Sequence, residues 1–398
     1  MALFGFLKRR SPEDAFADRA MRRLRERGWP HPLRYDATNF AIVTTDRGDV
    51  LNLANTYRDL QTYPPREHRA QLDRALDILF QPPPPETFEE ASPHLLPIIR
   101  NLAHLQAMSL QAEDATSPEI EHPYRAISAT TGVLLAVDMP SSIVLVNQKL
   151  IQAWGCTFDA ALAQAIENIV ALSPVRFEAE DGGFLVAAYG DRYDSSRLLL
   201  PELFRGLDIA GAPVAIPISR DLLLVAGSAD GKALKAMAAF ALEAYDADTR
   251  PTTVAPLILA GERWAPFLPQ VPELALLKEL SLIQAARDHS VQTPLLQAYC
   301  ERQGLDTYIP PLEITGPEGQ RKTWTSWREG ATHSLPRADA IGLTDANGGQ
   351  LLRRWVDVEA VCGPFVEDRG LHPSRFTPPP WPSPEAWQQL QEEFTEPA

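Results

Sequence analysis

The chain holds 398 residues, 45% apolar and 22% charged, with a formal net charge of −15. That length exceeds one ordinary core and points to two or three domains, while the composition excludes wholesale disorder. The acidic balance argues against a nucleic-acid partner, which needs a basic face, and the longest apolar runs are strand-sized, far from the roughly 20 residues of a membrane span.

Cys156, Cys300 and Cys362 are odd in number and far apart. They suit neither a disulfide framework nor a Cys-x-x-Cys metal knuckle, so reduced thiols and a cytoplasmic location are expected. The first ten residues place Leu3, Phe4, Phe6 and Leu7 before Lys8, Arg9 and Arg10. That order is the reverse of a secretory signal, and the stub is at most a weak surface anchor.

An amphipathic helix is expected over residues 12–28, started by Ser11 and Pro12, with Phe16, Ala17, Ala20, Met21 and Leu24 at helical spacing. Residues 1–28 carry eight basic and four acidic side chains, against the sign of the whole chain. Such a helix is either a solvated face or a docking surface for an acidic partner. Strands at 40–44 and 50–53 flank Gly48, which suits a hairpin turn. Helical residues 56–79, broken at Pro64 and Pro65, lead to four prolines at 82–85 that stop all regular structure. Residues 93–112 read as one apolar helix, followed by an acidic linker.

The central region opens with strands at 124–129, 133–137 and 143–146. Thr157 caps a helix with the stripe Leu162, Ala165, Ile166, Ile169 and Leu172, beside which Asn168 sits. Strands at 175–179 and 184–188 lead to the densest polar constellation of the chain, residues 191–197. A hairpin at 213–218 and 222–226, a helix from Asp230 and a strand at 254–260 complete the region. Hairpin-linked strands mixed with helices predict an α+β fold rather than a doubly wound parallel sheet.

Beyond Val271 the pattern gives a helix and then a second helix at 294–302. A β-rich module follows, with strands at 312–315, 321–327, 340–344 and 351–361. A Pro- and Trp-rich tail from 371 carries one short helix at 384–394. The segments expected are therefore 1–111, 120–262, 263–370 and a tail, 371–398.

Motifs for catalysis, metal ligation or calcium binding are absent, so no cofactor and no metal are expected. Gly227 to Lys232 imitates a phosphate loop, but only three residues separate Gly227 from Gly231, and Ala233 replaces the magnesium-binding hydroxyl. Trp324, Trp327 and Trp355 form an aromatic stripe that is either core mass or a stacking platform for a sugar or base. At the polar corner, Asp194 or Ser195 is expected to cap the following helix and Arg197 to pair with Asp191 or Asp194. The alternative is an anion-binding pocket at a helix start.

The strand at 134–138, Trp154, the helix with Ala165 and Asn168, the corner Tyr193-Asp194-Ser195-Ser196-Arg197-Leu198 and the hairpin at 215–226 resemble the YtpQ-like family of uncharacterised bacterial proteins. The resemblance covers about the first two thirds of the chain and implies a cytoplasmic α+β protein with no established activity. Pro201 departs from it, where the corner helix kinks or restarts. The reading is of a non-catalytic binding or protein-interaction module with an unknown protein or small-molecule partner. Its candidate ligand residues are Asp191, Tyr193, Asp194, Ser196, Arg197, Trp154 and Asn168. The rival is a hydrolase or transferase using Asp191 or Asp194 as acid or base and Arg192 or Arg197 as an anion clamp.

Overall fold

The computed structural model describes residues 11–46, 48, 50–80, 83–111, 117–140, 142–248 and 250–392. They fall into two compact units, Met1–Pro85 with Val137–Val144, and Glu86–Ala136 with Leu145–Ala398. The fold is α+β with mostly antiparallel sheets. Among the described residues no helix is long and apolar enough to cross a membrane. The apolar stub at 1–10 lies outside the described residues.

In the first unit, α1 (Pro12–Glu26) starts on a capping box in which Ser11 Oγ accepts from Asp14 N at 3.0 Å and Asp14 accepts from Ser11 N at 3.1 Å. Phe16, Ala17, Ala20 and Leu24 bury one face of it. They share a core with the antiparallel sheet β1 (Leu33–Asp36), β2 (Ala41–Thr44) and β3 (Val50–Asn52), and with α2 (Ala54–Thr62) and α3 (His68–Phe80). Gly48 turns the β2–β3 hairpin at φ +75. The basic face of α1 is partly engaged within this unit. Arg23 forks onto the Asp73 carboxylate at 2.6 and 2.8 Å, and Arg27 reaches Asp77 and the Asp73 carbonyl. Less basic surface is therefore left for a partner than the sequence promises.

The second unit begins with α4 (Phe88–Ala91) and a 3-10 turn (Ser92–His94). The single helix expected at 93–112 divides: Leu95–Asn101 is strand β4, and α5 (Leu102–Gln111) follows. Pro97 disfavours a helix there. β4 is buried along nearly its whole length, in a sheet ordered β4-β6-β5 with β5 (Arg125–Ala126) and β6 (Thr131–Asp138). An apolar run buried on both faces has no period by which to tell strand from helix.

β7 (Ile143–Leu145), α6 (Gln148–Ala153) and α7 (Phe158–Ala171), capped by Thr157, lead into a six-stranded antiparallel sheet. Its members are β8 (Phe177–Ala179), β9 (Leu185–Ala187), β10 (Pro213–Ser219), β11 (Leu222–Gly227), β12 (Leu257–Ala260) and β13 (Arg263–Pro266), in the order β13-β12-β10-β11-β9-β8. Val214, Ile216, Ile218, Leu224 and Ala226 face one side. Ala215, Leu223, Val225 and Leu259 face the other. That period of two, apolar on both faces, requires cover on both. One cover is α9 (Gly231–Ala247), preceded in the chain by α8 (Pro201–Arg205); the other includes Leu198 and Phe204. The Asp230 carboxylate accepts from Lys232 N and Ala233 N at the start of α9, so a side chain already uses the amides a phosphate loop would present.

The two helices expected after Val271 are one, α10 (Ala275–Arg302), with Pro294 inside it. A proline removes one helical hydrogen bond, and tertiary contacts override that loss here. Gln292 Nε2 donates to Gln106 of α5 at 2.8 Å, while Leu296, Tyr299 and Cys300 pack on Leu110. A mixed sheet follows, in chain order β14 (Glu313–Thr315) and β15 (Lys322–Arg328), then after β16 (Leu335–Pro336) the strands β17 (Ala340–Thr344) and β18 (Gln350–Arg354). Its order is β14-β15-β17-β18, with β15 and β17 parallel. The strand expected at 351–361 ends at Arg354, and α11 (Trp355–Cys362) takes over. The tail belongs to the core. β19 (Val366–Glu367) and β20 (Arg375–Thr377) pair with each other and with β16, and Arg353 donates to the Leu390 carbonyl of α12 (Pro384–Glu392) at 2.5 Å.

Candidate functional site

The polar corner follows β9. Gly190 (φ +67) and Arg192 (φ +69) adopt left-handed backbone, which turns the chain sharply. A 3-10 segment, Asp194–Leu199, then runs to Leu200, and α8 restarts at Pro201. Pro201 stands at the first position of that helix, where its missing N–H costs nothing.

Arg197 is 0% exposed, and four of its five N–H groups have partners. Nη1 and Nη2 fork onto Asp191 at 2.8 and 2.6 Å, Nε donates to Ser173 Oγ at 3.0 Å, and Nη2 also reaches the Leu172 carbonyl at 3.1 Å. Its guanidinium lies over the Tyr189 ring at 3.9 Å. The other member of the ion pair, Asp191, also accepts from Tyr193 N at 2.9 Å.

The expected helix cap is not formed. Asp194 accepts backwards, from Tyr189 N at 3.0 Å, and no side chain caps the 3-10 segment. Burial pushes the Asp194 carboxyl above the ordinary aspartate range. Ser195 Oγ donates to the Ser219 carbonyl at 2.5 Å and Ser196 Oγ to the Pro97 carbonyl at 2.7 Å, tying the corner to β10 and β4. Tyr193 is buried. The Tyr189 hydroxyl is the exception, being buried with no hydrogen-bond partner among the described residues. Nearby, burial and the charges of Arg220 and Arg250 push the Arg100 guanidinium down to about 10.

Trp154 and Asn168 are used elsewhere. Asn168 Nδ2 donates to the carbonyls of Ser92 and Leu95 at 2.7 and 2.8 Å, clamping α7 to the start of β4. Trp154 is buried against Phe88, with ring centroids 6.3 Å apart. The corner thus brings together Asp191, Tyr193, Asp194, Ser196 and Arg197, with most of their polar groups already bonded internally.

A second constellation lies over the C-terminal mixed sheet. Residues directly opposite across strands share a face. Thr325, Trp327, Ile341, Leu343 and Leu351 are buried on one face, with Trp327, Ile341, Leu343 and Leu351 in a core shared with α11 and α12. The other face presents the rows Trp324–Ala340–Arg354 and Ser326–Gly342–Leu352. It floors a groove of about 1180 Å³. One wall is a single stripe of α10, Ala275, Lys278, Glu279 and Leu282, at i, i+3, i+4, i+7. Another is the β14–β15 hairpin, turned at Gly316 (φ +94).

Trp324 rests on bare backbone: a Cβ on Gly342 would lie 3.6 Å from its ring. Five basic side chains, Lys278, Arg321, Lys322, Arg337 and Arg354, line the groove against two acidic ones, Glu279 and Asp339. Both acids serve neighbours. Glu279 accepts from Arg321 N at 3.0 Å, and Asp339 accepts from Thr323 N and Oγ1 at 2.8 and 2.9 Å. Arg354 forks onto Asp357 at 2.7 and 2.6 Å. Lys278 and Arg337 form no ion pair among the described residues, and Arg337 lies 5.4 Å from the centre of the Trp355 ring. In a chain of net charge −15 the groove is a local reversal of sign.

Comparison with known protein families, with characterised proteins and with solved structures finds no match. The sequence holds one signal for the groove, the Trp stripe, and the strand register divides that stripe. Trp327 enters the core, while Trp324 faces the groove from the opposite side of the sheet. The basic rim gave no signal, because it gathers from α10, the hairpin, the 337–340 segment and the β18–α11 junction.

Proposed function

We propose that the protein is a non-catalytic binding protein whose ligand site is the groove over the C-terminal sheet. The observation that carries this reading is a cavity within the second unit that combines an aromatic floor with two cations, Lys278 and Arg337, that form no ion pair among the described residues. Ligand sites are concave, largely apolar and fitted with a few polar groups, typically 300–1,000 Å³ in volume, and the groove has that character at a slightly larger size. The hydrolase or transferase reading at 191–197 has in its favour the raised pKa of Asp194. Against it stands burial: Asp194 is 1% exposed and its anion clamp Arg197 is fully buried.

The test is affinity selection of a small-molecule pool by the full-length chain, read by native mass spectrometry beside the Trp324→Ala/Lys278→Glu variant. A compound retained unchanged by the wild type and lost by the variant is the expected outcome. Equal retention by both chains removes the groove from consideration. Turnover of a compound that Asp194→Ala abolishes, with the fold intact, overturns the non-catalytic reading.

A further inference from the structure

Resting on that reading, we infer that the groove takes a planar nitrogen heteroaromatic ring carrying an anionic tail, the chemistry of a nucleoside monophosphate. Three independent features converge on this class. The first is a ring-sized platform. Trp324 lies against Gly342 on the groove side of the sheet and is only partly buried, which leaves ring surface for stacking. Stacking alone is indifferent to which flat ring it receives.

The second feature is a pair of unmet hydrogen-bonding atoms on residues lining the groove. Glu279, 3% exposed, has Oε2 without a hydrogen-bond donor among the described residues, although Arg321 Nη1 stands 3.5 Å away. Trp355, 2% exposed and packed against Phe365, has Nε1 without an acceptor among the described residues. Unmet polar groups in the interior are uncommon and costly, and these two, on different elements beside the groove and closed to water, meet the donor and acceptor of a ligand edge once the side chains around them shift. The edge of an amino-substituted heteroaromatic ring presents both, whereas a hydrocarbon ring presents neither.

The third feature is charge. Lys278 and Arg337 are exposed, sit on different elements of the rim and have no ion-pair partner among the described residues. Arg321 and Lys322 stand on the same rim. An anionic tail meets these cations at the mouth while the ring lies within, where Glu279 would repel a bare anion. The ligand is therefore neither a simple anion nor a neutral ring.

The experiment is calorimetric titration of the full-length chain with AMP, GMP, CMP and UMP, beside adenosine as ring without anion and ribose 5-phosphate as anion without ring. At least one nucleotide is expected to bind tenfold or more tightly than both fragments. Trp324→Ala should weaken that nucleotide about tenfold. Arg337→Ala should weaken the nucleotide but leave adenosine unchanged. If no nucleotide outbinds the fragments while the pool screen still returns a groove ligand, the ring-and-anion class is wrong and the binding reading survives. If a nucleotide binds equally to wild type and Trp324→Ala, with both chains showing the same thermal melt, the assignment of the platform is overturned.

Discussion

The corner at 191–197 and the groove over the C-terminal sheet hold the same kinds of side chain and use them in opposite ways. In the corner, the buried Arg197 is held by Asp191, and the serines and Asp194 bond to backbone of β4, of Tyr189 just after β9 and of the β10–β11 hairpin. In the groove, Lys278 and Arg337 stand on the rim and form no ion pair among the described residues, and Trp324, only partly buried, lies against Gly342. Polar density along a sequence does not separate these cases, because what matters is whether the partners come from the same protein. Local density favours an internal solution, since a residue six positions away is easily reached. A site assembled from four distant segments leaves no dense patch in the sequence at all.

The sharpest way to break the comparison is Arg197→Ala. Arg197 is fully buried while Asp191 is about a third exposed, so the loss comes chiefly from the volume of a buried side chain and its four charge-assisted hydrogen bonds, together about 3–5 kcal/mol. Urea unfolding should show that loss, with nucleotide affinity unchanged under conditions where the variant is folded. A loss below about 1 kcal/mol, or a specific loss of binding, would return the corner to the list of ligand sites.

The next effect concerns Asp288 on the inner face of α10. It is 2% exposed, accepts from Asn101 Nδ2 and Gln284 Nε2 at 2.8 Å each, and burial pushes it up to about 7. A carboxyl raised in the folded state contributes stability that is present at low pH and is lost as pH rises through the folded value. The wild type should therefore lose stability between about pH 4 and pH 7 relative to Asp288→Asn, whose amide oxygen can still accept both bonds. The gap at pH 8 should be on the order of 2–4 kcal/mol in favour of the variant. His289 runs the other way, since burial holds it well below the ordinary histidine range and its contribution is lost below about pH 6.5. Comparing the two chains at each pH cancels that contribution. Equal pH profiles for the two chains would mean that Asp288 is hydrated or otherwise paired.

These two positions also show what the sequence could carry. Elements with a clear period or cap were legible: the stripe of α1 with its Ser11 box, α7 behind Thr157, α9 behind Asp230 and the β10–β11 hairpin. Where the expected elements failed, burial had erased the period. β4 is apolar on both faces and reads as helix. α10 buries Glu279, Gln284, Asp288, His289 and Gln292 alongside leucines, so it shows no apolar stripe, and Pro294 then reads as a break. The pairing of Arg197 with Asp191 was legible because it is local. The direction of Asp194 was not, because its acceptor role is set by where the Tyr189 amide lies after the turn. The groove was invisible as a site because its rim is gathered from separate segments.

On the groove side, Trp324→Ala should be mild for the fold. Its ring is only partly buried on the open face, so a loss of about 1 kcal/mol is expected, against a roughly tenfold loss of nucleotide affinity. A destabilisation as large as that of Arg197→Ala would mean that Trp324 is a core residue and the groove floor is structural.

The smallest effect on stability, and the most discriminating, is expected from Lys278→Glu. Lys278 is exposed at the end of the first turn of α10, forms no ion pair among the described residues and lines the groove. A cation near a helix N-terminus opposes the macrodipole and an anion complements it, by about 0.3–1 kcal/mol. Stability alone therefore favours Glu at 278, and the variant should unfold at slightly higher urea than the wild type. Binding runs the opposite way. At about 6 Å from an anionic tail, one unit charge contributes roughly 0.7–3 kcal/mol for effective dielectrics of 80 and 20, and reversing its sign applies that change twice. Nucleotide affinity should fall tenfold or more, with a weaker dependence on salt because one attractive charge is gone. Stability up and affinity down is a pair of signs that general damage to the fold cannot produce. If both move together, Lys278 serves the helix and the cationic rim has no role in binding.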